Sequence, residues 1–244
     1  RRPVTKDDTA RLMEFYDAGR EGSGGFETGI EQMVTAVLVS PDFLYRGIAQ
    51  PQDTKSTKFQ ALNDLELATR LSYFLWKRAP DAELLKLANA GELKRPGALE
   101  AQVKRMMAAP EAENLVTDFA FRWLDLLEVN KFEWDRQIFP EFTAELRQDF
   151  VTEIDLFLRS VLLEDKNVEQ LLTADYTFLN ERLARHYGIP NVYGSHFRRV
   201  HLSDENRRGL LGQGSILTVT SYGTRTSPTM RGRSEEHTSE LQSH

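Results

Sequence analysis

Apolar residues recur every three or four positions through most of this chain, the spacing that gathers them on one face of an α-helix. "KDDTARLMEFYDAGREG" offers Asp7 or Asp8 as a cap, then Leu12, Phe15 and Tyr16 at helical spacing, then glycines as a stop. "FETGIEQMVTAVLVSPDFL" predicts a second helix with Ile30, Met33, Val34, Val37 and Leu38 on one face and a break at Pro41. The following "FLYRGIAQPQDTKSTKFQ" reads as a short strand and a polar connection, a candidate boundary. Asn63 then stands three residues before Glu66, a capping-box spacing that satisfies two free backbone donors at a helix start. Leu67, Leu71, Phe74 and Leu75 form the stripe expected to be buried.

Pro80 and Asp81 end that helix and cap the next, which stops at Gly91. Pro96 opens another with Leu99, Val103, Met106 and Met107 inward, and Pro110 opens a helix containing "LVTDFAFRWLDLLEV". The longest prediction is "FPEFTAELRQDFVTEIDLFLRSVLLED", where Phe142, Leu146, Phe150, Ile154, Phe157 and Val161 mark the spine of a core. "ADYTFLNERLARHYGIP" holds one more short helix ending at Gly188 and Pro190, and "HFRRVHL" alternates like a strand. In "RRGLLGQGSILTVTSYGTRTSPTMRG" small residues, hydroxyls and arginines replace the helical pattern. The fold class is therefore mainly α: a compact multi-helix array around Phe142 to Leu163, with a few short strands near Leu44 and Phe197.

With 244 residues, 40% of them hydrophobic, the chain has the material for a substantial core. Its formal charge of -6 comes from interleaved acids and bases, which describes a solvated mixed surface and argues against a nucleic-acid binder. No apolar run approaches the roughly 20 residues of a membrane span. The chain opens on Arg1, so the lack of a leader there says nothing of compartment. The absence of cysteine removes disulfides, thiolate catalysis, cysteine-ligated metal and C-x-x-C-H haem attachment from these residues.

Glu145, Asp149 and Glu153 lie four apart on the long helix, with Asp155 nearby. Such a row could ligate metal as in helical di-iron proteins, but the Glu-x-x-His partner of those sites is missing. The reading adopted is a solvated face balanced by Arg147 and Arg159. Trp76, Trp123 and Trp134 could stack on a sugar or a haem edge; on helices rich in leucine and phenylalanine they read as core or core rim. His186 ends a helix, where the dipole favours a protonated imidazole, and His196 and His201 flank "FRRV". These histidines have the chemistry of axial haem ligands or general bases, yet no motif places an Asp or Ser beside them.

"SYGTRTSPTMRG" combines the hydroxyls of Ser221, Thr224, Thr226 and Ser227 with Arg225 and Arg231 around a turn at Gly223 and Pro228. Two readings stand: a loop that holds a carboxylate, phosphate or propionate, or an ordered loop whose side chains bond its own backbone. The serine-hydrolase signatures are missing, and "GQG" is too short to mark a phosphate loop.

The stretches "RRPVT", "AVLVSPDFLYR", "ELATRLSYFLW", "ADYTFLNERLARHYGIP", "FRRVHL" and "RRGLLGQGSILTVTSYGTRTSPTMRG" resemble large multidomain proteins abundant in planctomycetes and related bacteria. Those proteins are built from consecutive domains of unknown function numbered 1595, 1592 and 1588. The resemblance assigns residues 1–50 to the first, 61–192 to the second and 207–232 to a truncated start of the third. It implies a periplasmic or cell-envelope protein whose third domain continues to a C-x-x-C-H segment holding haem c. No attachment site lies in this chain, so no cofactor is expected within it and haem c belongs to sequence downstream. The expected function is the helical part of an envelope c-type cytochrome-containing protein, in electron transfer or oxidation of an extracellular substrate. His186, Arg225 and Arg231 would then face the cofactor or substrate, and a redox partner or extracellular substrate would be the ligand. The alternatives are a non-redox binding or scaffold module docking a partner or glycan through aromatics, and a hydrolase using the hydroxyl-rich loop.

The closing "RSEEHTSELQSH" departs from the resemblance and looks like the frame translation of a common sequencing adapter. Residues 233–244 are therefore excluded from fold reasoning, and His237 and His244 are not offered as ligands.

Overall fold

The computed structural model describes residues 3–21, 24–45, 61–230 and 232. The chain divides into two compact units, Arg1–Arg105 and Met106–His244. Among the described residues the protein is mainly α, with two small two-stranded sheets.

In the first unit, α1 (Lys6–Arg20) starts at Thr5 rather than at Asp7 or Asp8. The Asp8 amide donates to Thr5 Oγ1 at 3.2 Å and the Thr5 amide donates to the Asp8 carboxylate at 2.8 Å, so the acid serves as the third residue of a capping box. α2 (Phe26–Val39) meets α1 through small residues: a Cβ at Gly29 would lie 2.7 Å from the Tyr16 ring. Because the face turned to α1 is centred on that glycine, Ile30, Val34, Val37 and Leu38 stay exposed and only Met33 of the predicted stripe is half-buried. Ser40 precedes a single turn, α3 (Pro41–Leu44), so the strand expected near Leu44 is helical, with proline at its first position. The polar connection read after it lies at residues 46–60, outside the described residues.

α4 (Asp64–Leu75) carries the predicted capping box, with the Glu66 amide donating to Asn63 at 2.8 Å and the Asn63 amide donating to Glu66 at 2.9 Å. Its buried face is Ala68, Ser72 and Leu75; Leu67 and Leu71 are half-buried and Phe74 is exposed, a rotation of the predicted stripe. Asp81 caps α5 (Ala82–Asn89) and also receives a forked bond from Arg105 of α6 (Ala98–Met107), at 2.7 and 3.1 Å. Burial pushes the Asp81 carboxyl up, but the Arg105 pairing, the Leu84 amide and the Arg78 charge together hold it below its ordinary pKa.

In the second unit, the helix read through "LVTDFAFRWLDLLEV" is broken into a π-helical turn over Leu115–Ala120, α7 (Phe121–Trp123) and a 3-10 turn over Leu126–Asn130. Asp125 sits between the last two with φ of 58°, a left-handed conformation that a continuous helix cannot contain. α8 (Ala144–Leu162) follows, capped by Thr143. Leu146, Phe150, Ile154, Phe157 and Val161 are all buried along it, as the period predicts. Val116, Leu126 and Ile216 pack with the second half of α8, while Leu179, Leu183 and Val192 pack with Leu146 and Phe150 near its start. Each such side chain withdrawn from water contributes roughly 1.5–3 kcal/mol.

A turn, α9 (Gln170–Thr173), leads to β1 (Tyr176–Leu179), then to α10 (Glu181–Tyr187) capped by Asn180 and ended by Gly188 at φ of 70°. β1 pairs antiparallel with β2 (Arg198–His201) in the register Tyr176↔His201. Two 3-10 turns, Glu205–Arg207 and Leu210–Gly212, feed α11 (Gly214–Val219), whose Ile216 enters the same core as α8. The described chain closes on a hairpin of β3 (Ser221–Tyr222) and β4 (Arg225–Thr226), followed by a helical turn. Among the described residues no helix is long and apolar enough to cross a membrane.

Candidate functional site

Two of the four carboxylates on α8 turn inward, which overturns the reading of a solvated face. Asp149 is 4% exposed and Glu153 1%, because β1 and α10 cover that side of the helix. Asp149 accepts from Asn180 Nδ2 at 2.8 Å and from Arg182 at 2.5 and 3.0 Å, so a helix cap and a cation from α10 compensate its burial. Arg147 pairs with neither acid: its guanidinium donates to the carbonyls of Asn130 and Phe132 at 2.8 and 2.5 Å. Arg159 bonds Asp155 at 2.8 Å, and also Glu113.

Glu153 is held by hydroxyls. Thr177 Oγ1 on β1 donates to Oε1 and Tyr187 Oη on α10 donates to Oε2, both at 2.6 Å. Tyr187 Oη in turn accepts from the Gly214 amide at 2.8 Å, and the Arg207 guanidinium lies 4.2 Å from the centre of the Tyr187 ring. Burial pushes the Glu153 carboxyl up to about 7, against the opposing effects of its two hydrogen bonds and the Arg207 charge. Burial and the neighbouring carboxylate also raise the Tyr187 phenol well above its ordinary value, so it stays a donor at neutral pH.

Gly214 has no substitute in this arrangement: a Cβ there would overlap the Phe150 ring and approach Tyr187 Oη to 2.7 Å. On either side of it, the Gln213 side-chain carboxamide and the Ser215 hydroxyl are buried with no hydrogen-bond partner among the described residues. This network was legible only in part. Asp149 and Glu153 fall three residues after Leu146 and Phe150, a spacing that places them beside the buried stripe; Tyr187 and Gly214 carried no comparable signal.

The residues singled out from sequence take the following places. His186 lies in the last turn of α10, with its ring edge-on to Phe142 and Phe150 at 5.3 and 5.5 Å. Burial of the ring lowers its pKa, a nearby Glu141 opposes this and Arg207 adds to it, so the environment favours the neutral imidazole over the cation expected at a helix end. Arg225 is exposed on β4, 5.3 Å from the Tyr222 ring, and the structure gives no contact between it and His186. Arg231, His237 and His244 lie outside the described residues. His196 is near Arg198 at 3.4 Å, and His201 faces Asp175 at 3.3 Å.

In the hydroxyl-rich loop two of the serines bond the backbone. Ser221 Oγ donates to the Leu217 carbonyl at 2.6 Å, and buried Ser227 accepts from the Met230 amide at 3.3 Å as the cap of the final turn. Trp76 is buried, Trp123 is half-buried beside Phe119, and Trp134 stacks on Phe142 at 4.6 Å with Arg147 4.8 Å from its ring. All three are structural contacts.

Among the described residues no group of three or more His, Cys, Asp or Glu side chains could hold a metal ion. The residues present do not fit a haem c site either, because the chain has no cysteine to form a thioether.

Fold and site together define a mainly α module with an inward-turned polar network on its longest helix. The chain belongs to the family described as PSD4, protein of unknown function (DUF1592), which matches residues 62–189; residues 1–47 match PSD5, protein of unknown function (DUF1595). No curated protein and no solved structure matches it. The larger match contains Asp149, Glu153, Thr177 and Tyr187, whereas Arg207 and Gly214 stand beyond it.

Proposed function

We propose that this chain is a non-catalytic helical scaffold within a larger periplasmic or cell-envelope protein, supporting chemistry carried by other parts of the polypeptide. The observation that carries this reading is the use of its reactive side chains in internal bonds. Asp149 and Glu153 are buried and bonded, Ser221 and Ser227 bond the backbone, and the tryptophans pack against neighbours. A hydrolase centred on Ser227 gains no support from a buried serine serving as a cap. In this reading residues 207–232 open a third domain of the 1588 kind. Haem c, with electron transfer or oxidation of an extracellular substrate, belongs to residues beyond this chain.

The test is made in the full-length protein. Ser227→Ala, His186→Ala and Arg225→Ala should leave turnover and any haem spectrum unchanged, with only small losses of stability. Loss of turnover in Ser227→Ala, or a shifted haem spectrum in His186→Ala or Arg225→Ala, would overturn the scaffold reading.

A further inference from the structure

We draw no further inference here: the strongest candidate, the exposed apolar face of α2 made by Phe26, Ile30, Val34 and Leu38, is an unpartnered helix face, and nothing in the structure shows what covers it.

Discussion

At the residue scale, the decisive fact is that burial changes what a charged side chain does. Asp149 and Glu153 stand one turn apart on one helix, yet Asp149 is met by a guanidinium and a carboxamide while Glu153 is met by two hydroxyls. Replacing Asp149 by Ala leaves Arg182 and Asn180 without their acceptor and should cost about 3 kcal/mol, read as a lower urea midpoint at unchanged m-value. Gly214→Ala forces a Cβ into the Phe150 ring and should lose about 1–3 kcal/mol, visible as a fall in Tm. The inward turn of these acids was hidden in the sequence because four-residue spacing describes a shared face without saying whether that face is covered.

Among elements, local signals held where the backbone itself decides. The Asn63–Glu66 box forms as read, and Asn63→Ala should remove about 1 kcal/mol, measured by thermal or urea unfolding. Gly188 ends α10 in the left-handed conformation that its position after "RHY" predicts. Signals failed where a distant partner decides. β1 became a strand only because Arg198–His201 lies beside it, and "TFL" alone carries too few residues to announce that pairing. The helix across "LVTDFAFRWLDLLEV" failed at Asp125, whose left-handed turn redirects the chain from α7 into the 3-10 turn that packs on α8. Asp125→Gly should be neutral or stabilising by up to about 1 kcal/mol, checked by the same unfolding curves.

For the molecule as a whole, the second unit continues past the family match that ends at residue 189: Leu210 and Ile216 sit in the apolar cluster of Ile154, Phe157 and Val161. A chain ended at residue 192 should therefore lose the cooperative unfolding that a chain ended at Gly232 shows, with calorimetry as the readout and an unchanged sharp transition as the contrary result. The sequence by itself determined the mainly α class, the spine on α8, the Asn63–Glu66 capping box and the family, since period, caps and motifs are local properties. Tertiary structure alone decided which helix faces were covered, why Ile30, Val34 and Phe74 remained exposed while two acids were buried, and how Thr177, Tyr187, Arg207 and Gly214 came to surround Glu153. The physical reason is that burial and proton affinity depend on what packs across a face, and those neighbours come from positions 24 to 61 residues away in the chain.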